Sequence, residues 1–364
     1  MRVTVVGAGV VGCAIAYELA ARGAEVDVID PRGSGQGATR ASAGILAPYI
    51  EGHSKALLEI GVSGLDHYDS FVARVAADAD RSIEYRRSGT LQVARTGGEA
   101  RMLEQAAQVL AASGVPHSSL DGRAARRLEP LLADTIRAGL LVPGHGYVGV
   151  STLMSALVEA ARRHGATLST TRVTGIDHGG PSVTINTPEG MVVSDAVVIA
   201  AGSWSGGIPM PPAVPPPVRP VRGQLVHLRF PEPAFSHVIW GAAGYMVPWE
   251  DGSVLVGATV EEVGFDETVT VAGVRHLLEM AMELVPAVRS ATFDEARAGL
   301  RPATVDELPI VGRSSTMRGV YYATGHYRSG VLLAPLTAAM VADLVLDGRE
   351  RSELALVRPD RFGL

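Results

Sequence analysis

Arg2-Val3-Thr4-Val5-Val6 runs straight into Gly7-Ala8-Gly9-Val10-Val11-Gly12 and on into Cys13-Ala14-Ile15-Ala16-Tyr17-Glu18-Leu19-Ala20-Ala21. Gly23 stops that helix, and Glu25-Val26-Asp27-Val28-Ile29 follows, ending on Asp30. The order is strand, glycine turn, helix and second strand, closed by an acid. In a chain with 42 glycines the spacing alone would say little; the agreement of all five parts makes it a dinucleotide-binding unit. Gly7 permits the tight turn, Gly9 lets backbone approach a pyrophosphate, and Gly12 lets helix and strand pack closely. The helix start then offers unpaired N–H groups and the positive end of its dipole to phosphate. Asp30, 18 residues beyond Gly12, stands where a carboxylate accepts hydrogen bonds from an adenosine ribose. An acid there favours FAD or NAD over NADP, although the nearby Arg32 works against that exclusion.

Composition is compatible with this reading and narrows it. With 364 residues, 47% of them hydrophobic, the chain can bury a core in each of two lobes. A net charge of −6 without basic runs argues against a nucleic-acid partner. The single cysteine, Cys13, cannot form an intramolecular disulfide and suits a reducing cytoplasm, where it reads as a small packing residue. Val3 to Ala21 and Gly330 to Leu346 are apolar, but the first carries the glycine turn and Glu18, and the second carries Pro335 and Asp343. Both are expected to be buried elements, with no integral membrane segment. The histidines at 53, 67 and 145 lack ligand spacing, so no metal is expected.

Further along, small residues fill Pro31 to Leu46, a backbone able to lie against a pyrophosphate and a flat ring, or a plain surface loop. Helical patterns are expected over Ala56–Ala79, Glu99–Ser113 and Gly122–Leu132, and over Leu153–His164, with Ser151 or Thr152 as its cap. Thr167–Val173 and Val183–Thr187 read as strands. Asp195-Ala196-Val197-Val198-Ile199-Ala200-Ala201-Gly202 is a buried strand delivering the chain to a second glycine. Ile208 to Pro220 holds seven prolines, which excludes helix and central strand and marks a crossing between lobes. Antiparallel texture follows, with Asp251-Gly252 as a hairpin turn. Gly325 to Gly330 forms a strand-to-helix turn of the same physical design as the first.

The ordered set GAGVVG (7–12), ASAGIL (41–46), AAGSWS (200–205), PVRGQ (220–224), YMVP (245–248), VGAT (256–259), GLRP (299–302), LPIVG (308–312) and GHYRSGVLLAP (325–335) resembles the D-amino-acid-oxidase-like FAD-dependent oxidoreductases, and among them the glycine oxidases of thiamine-thiazole synthesis. The resemblance spans nearly the whole chain. It implies an α/β architecture with a discontinuous, Rossmann-like FAD-binding lobe (1–83, 145–219 and 296–364) and a mostly antiparallel substrate-binding lobe (84–144 and 220–295). It implies noncovalent FAD held by Gly7, Gly9, Val10, Val11 and Gly12, by Asp30 and Pro31, and by Ala38 and Thr39. Ala43, Gly44 and Ile45 match the segment beside the flavin ring, and Val173 the backbone contact to adenine. Ala201, Gly202 and Trp204 match the second glycine turn. His326, Tyr327, Arg328, Ser329, Gly330, Val331 and Leu332 match the loop around the flavin pyrimidine edge. Arg301 matches the arginine that binds the substrate carboxylate, with Tyr245 and Arg328 lining the same pocket.

The implied reaction is oxidative deamination of glycine or another small amino acid. Hydride passes from Cα to flavin N5, water hydrolyses the imine to an oxo acid and ammonia, and hydrogen peroxide forms if oxygen is the acceptor. A guanidinium fork is suited to the only strong handle such a substrate has, its carboxylate. No catalytic side chain is assigned, because the flavin performs the chemistry. D-amino-acid or sarcosine-type oxidation or dehydrogenation is the alternative. The single Cys13 argues against covalent flavin, and the resemblance is compatible with a homo-oligomer. Without it, Arg301 reads first as a structural ion-pair residue and Tyr245 as core, and His326 and Tyr327 also read as a helix cap.

Overall fold

The computed structural model describes the chain apart from residues 181 and 232–234. Its first sheet has six strands in the order Ile310–Arg313, Val320–Thr324, Ala196–Ile199, Arg2–Val6, Glu25–Ile29 and Thr167–Ser169. All neighbours are parallel except the edge pair Ile310–Arg313 with Val320–Thr324. Alternation along the strands feeds two cores. Val3, Val5 and Val198 face one that takes in helices Val10–Ala21, Val150–Arg163 and Gly330–Ala342. Val6, Val197 and Ile199 face another, closed by the antiparallel sheet Gly175–Gly179, Ser182–Thr187 and Gly190–Ser194. Helices packed on all sides need apolar residues all round: every residue of Val10–Ala21 but the last is buried. Gly330–Asp347, the one stretch long and apolar enough to cross a membrane among the described residues, is mostly buried inside the fold against that helix.

Pro335 lies inside Gly330–Ala342, where its missing N–H leaves the Val331 carbonyl without its helical donor. The buried Tyr68 hydroxyl donates to that carbonyl at 2.7 Å. A helix-breaking residue is thus tolerated because a side chain from another helix replaces the lost bond.

The second sheet has eight strands, ordered Thr292–Ala303, Arg219–Arg229, Ser253–Gly257, Gly244–Pro248, Val238–Gly241, Thr90–Ala94, Ala138–Val142 and Ser118–Asp121. Only Val238–Gly241 with Thr90–Ala94 is parallel. Val226, Met246 and Val256 on one face pack under helix Val271–Leu284, while Leu225, Val247 and Leu255 face Ile45 and Tyr147.

Several local expectations shift for identifiable reasons. The first long helical run divides at His67 into Lys55–Asp66 and Tyr68–Ala79. Helix Val150–Arg163 starts before Ser151 and Thr152, with Gly149 as its cap. Thr152 Oγ1 instead donates to Gly149 O and accepts from Glu84 N, tying two loops together. The strand expected over Thr167–Val173 ends at Ser169, because its neighbour ends at Ile29. Pro220 falls inside strand Arg219–Arg229, but where Thr292–Ala303 alone flanks it, since Ser253–Gly257 reaches only Leu225–Arg229.

Candidate active site

A cavity of about 370 Å³ lies beyond the carboxyl ends of the central parallel strands and runs across to the eight-stranded sheet. Its size is in the roughly 300–1,000 Å³ range of ligand pockets, and it occupies the position where open α/β sheets bind ligands. The first glycine turn forms one end. Gly7 has φ +110°, and a Cβ there would lie 2.4 Å from Ala200 O; a Cβ on Gly12 would lie 1.9 Å from Gly7 O. Neither glycine lines the cavity; both shape the turn that does. Gly9 lines it together with Val10 and Val11, and a Cβ on Gly9 would meet only Thr39 Oγ1, at 3.2 Å. Gly9 thus leaves backbone open to the cavity. Thr39 accepts the Val10 N–H at 3.0 Å, while Gly9 supplies no side-chain cap to the helix.

Asp30 lines the same end. Its carboxylate accepts from Ala8 N at 2.9 Å and from Arg32 N at 2.8 Å, so the acid also braces the turn. Arg32 is turned to other uses: its guanidinium lies 4.0 Å above the Trp204 ring and pairs with Glu267 at 2.9 Å. Ala38, Ala43, Gly44, Ile45, Ala201, Gly202 and Trp204 continue the wall. At Gly44, φ is +68° and a Cβ would sit 1.9 Å from Val148 O, so glycine is obligatory there. Pro31 is exposed outside the cavity, and Val173 packs beside the core containing Val6 and Ile29. Cys13 is buried, its thiol pushed up to about 12 by burial and donating to Ala8 O at 3.4 Å.

The second glycine turn closes the far side. Tyr327 adopts φ +46° and donates its N–H to Pro302 O at 2.8 Å, which ties the turn to the strand carrying Arg301. His326 is buried and bonded through Nε2 to Thr337 Oγ1 at 3.0 Å; burial pushes its pKa down to about 3, so the ring is neutral. Gly330 and Val331 line the cavity; Ser329 caps the helix through its backbone and Leu332 points into the core.

Arg301, Arg328 and Tyr245 come together at the sheet end. Arg301 lies across the neighbouring strand, its guanidinium 2.2–2.3 Å from where a Gly223 Cβ would be, and Nη1 donates to Thr259 O at 3.0 Å. Tyr245 faces Gly257 in register, and its ring fills the space of a Cβ there, 2.6–2.7 Å away. Arg328 lies over the Tyr327 ring at 5.1 Å. Among the described residues no carboxylate forms an ion pair with Arg301 or Arg328.

Sequence reasoning missed two side chains here. Trp240 lies 5.1 Å from Tyr245, ring to ring. Glu51, on the short helix Pro48–Glu51, lines the same wall, its carboxyl pushed up to about 7 by burial while Arg328 and Arg301 pull it back down. Nothing in the run Pro48-Tyr49-Ile50-Glu51 carries a signal for this. Only the strand pairing of Ile45 and Leu46 with Gly146 and Tyr147 brings that segment to the cavity.

Comparison with known proteins agrees with this geometry. The family model for FAD dependent oxidoreductases matches residues 2–344. The chain is 34% identical over 357 residues to the glycine oxidase of Geobacillus kaustophilus, covering 97% of this chain and 94% of that one. The crystal structure of that enzyme superposes with a TM-score of 0.91, covering 96% of each chain. A bifunctional protein ThiO/ThiG of Nostoc sp. is 34% identical over 95% of this chain, which spans 52% of that longer protein. The structure of iminodiacetate oxidase from Chelativorans sp. BNC1 is 27% identical, with a TM-score of 0.89 over 98% of this chain and 99% of that one. The chain belongs to the FAD-dependent oxidoreductases of the D-amino-acid oxidase type, and it is an FAD-dependent enzyme acting on amino acids.

Proposed function

We propose that this enzyme oxidatively deaminates glycine or a similarly small amino acid. The observation that carries the reading is the pair of guanidiniums, Arg301 and Arg328, that face the cavity without a carboxylate partner beside the half-buried Tyr245. Two such cations in one cavity are suited to a small carboxylate ligand, which Arg301 grips in a fork while Tyr245 and Trp240 limit its size.

The residues at the other end fit FAD. Gly9 leaves backbone open to a pyrophosphate, the start of helix Val10–Ala21 supplies N–H donors, and Asp30 supplies the ribose acceptor. Ala43, Gly44 and Ile45, with the Tyr327–Val331 turn, would flank the ring system. When bound, FAD supplies the two-electron acceptor for the hydride leaving Cα, and it is reoxidised by oxygen or another acceptor. The chain's own part is to anchor the carboxylate, orient Cα and confine water; the imine released is hydrolysed to 2-oxo acid and ammonia. Segments 1–83, 145–219 and 296–364 form the cofactor domain in this reading, and 84–144 with 220–295 the substrate domain. We place the enzyme in the cytoplasm, where a single buried thiol is at home, as a homo-oligomer in thiamine-related metabolism.

A second reading, oxidation of N-substituted glycines such as sarcosine or iminodiacetate, draws on the second guanidinium. Incubation of the aerated holoenzyme with glycine, D-alanine, sarcosine and iminodiacetate in parallel tests both. Glyoxylate, ammonia and peroxide should form fastest from glycine. Turnover of the N-substituted compounds alone would transfer the assignment to them, and no turnover of any would remove it.

A further inference from the structure

Glu51 lines the substrate end of the cavity and is held by no partner there. The helix carrying it is pinned at both ends: Glu51 N donates to Ala47 O at 3.2 Å and Gly52 N to Pro48 O at 2.8 Å. A Cβ on Gly52 would lie 2.7 Å from Pro48 O and 2.9 Å from the Leu58 backbone, so the turn presenting Glu51 has little freedom. The carboxylate lines the cavity with Arg301, Arg328 and Tyr245. Among the described residues it accepts no hydrogen bond and forms no ion pair, and neither do the two guanidiniums pair with any carboxylate. The other charged groups nearby, His53 on its own segment and Lys55 and Glu59 on the helix packed behind it, are exposed. At the sheet end of the cavity one anion and two cations therefore stand together with no ion pair among them.

Glu51 is half-buried in the cavity wall; a carboxylate drawn partly out of water without a donor is costly, and proteins keep such groups where a ligand completes them. The complement to this set is a zwitterion, with a carboxylate for the guanidiniums and an ammonium for the acid. We propose that Glu51 binds the ammonium group of the amino-acid substrate and accepts one of its protons. This assignment rests on the small-amino-acid reading above.

The proton transfer has a chemical reason. An ammonium nitrogen has no lone pair, so it cannot form the C=N bond as hydride departs from Cα. Glu51 takes an N–H proton and becomes the neutral acid, and the amine lone pair is freed. The freed lone pair can then close the iminium as hydride leaves Cα, bound FAD being the two-electron acceptor that would take it up. The proton on Glu51 returns to solvent before the next turnover. A carboxyl near 7 is suited to this exchange at neutral pH. The same contact selects amines over hydroxy acids of equal size, which carry no cation for Glu51.

Acetate, which has the carboxylate and lacks the amine, separates the two ends of the pocket. Its binding to wild-type holoenzyme, read from the flavin visible spectrum, should weaken as pH rises through about 7 and Glu51 becomes charged. In Glu51→Gln holoenzyme acetate binding should be pH-independent across that range and at least as tight. Glycine kcat/KM at pH 7 should fall about 100-fold, recover as the pH is raised towards the amine's own pKa, and be partly restored by Glu51→Asp. An acetate affinity in wild type that does not change between pH 6 and 8 overturns the proposal, as does an unaltered glycine pH profile in Glu51→Gln. Because the acetate titration of wild type needs neither variant nor turnover, it holds if the variant misfolds. Wild-type holoenzyme that turns over no small amino acid at all would instead remove the parent reading, and Glu51's role with it.

Discussion

At the glycine-turn end of the cavity the chain works by leaving side chains out: Gly7, Gly12 and Gly44 sit where any Cβ would strike a backbone carbonyl 1.9–2.4 Å away. At the sheet end it uses glycine for the opposite purpose, as a floor on which large side chains lie, Arg301 on Gly223 and Tyr245 on Gly257. The first end is rigid because backbone meets backbone, and nothing there can move aside. At the second, backbone meets the far end of a side chain, which can swing away. Substitution at the first end should therefore cost the cofactor and the fold, and at the second only substrate binding.

The sharpest way to break that contrast is Gly12→Ala. With Gly7 O only 1.9 Å from the new Cβ, the turn and helix must separate, and we expect protein that is insoluble or free of flavin. A variant with full FAD content and an unchanged unfolding temperature would erase the difference between the ends. Gly223→Ala is its counterpart. The new methyl displaces the Arg301 guanidinium, so KM for the substrate should rise about 10- to 100-fold, the weight of a charge-assisted hydrogen bond. FAD content and thermal stability should stay near wild type; loss of FAD would mean that the sheet end is as rigid as the glycine turn.

The two ends also differ in how far the chain itself discloses them. The cofactor end was legible because its parts are contiguous: the turn, the helix and Asp30 lie within thirty residues, and each has a local physical requirement. The substrate end depends on strand register instead. Gly223 meets Arg301 through the long-range register of Arg219–Arg229 with Thr292–Ala303; Gly257 meets Tyr245 across a hairpin whose Asp251-Gly252 turn is legible but whose facing pair is not. Arg301 was identified by resemblance alone, for an arginine in a β strand carries no sign of whether it meets a carboxylate. Glu51 lay beyond even that. The proline at 335 was legible as a helix interruption, but the tyrosine that repairs it, Tyr68, stands 263 residues from its acceptor.

Smaller effects sharpen the picture of the second glycine turn. His326 is neutral in the fold, held down to about 3 by burial against an ordinary value of 6.5. The unfolded chain therefore takes up a proton that the folded chain refuses. The histidine's contribution to stability is complete above about pH 6.5 and is lost as pH falls toward 3, by about 1.4 kcal/mol per pH unit. Urea unfolding of His326→Asn at pH 7 and pH 5 should show a shallower loss than wild type; equal losses would place the acid sensitivity elsewhere. Smallest is Tyr68→Phe, which strands the Val331 carbonyl and should cost about 1–3 kcal/mol in the same assay. No change would mean that the carbonyl finds another donor.

The most direct test of the proposed function is the visible spectrum of purified holoenzyme during anaerobic addition of glycine, run beside Arg301→Ala. The wild-type flavin band should bleach, while the variant should hold the same oxidised flavin and keep its colour. A wild-type band that survives glycine, or an Arg301→Ala band that bleaches equally well, would contradict the assignment of this cavity to a small amino acid anchored by its carboxylate.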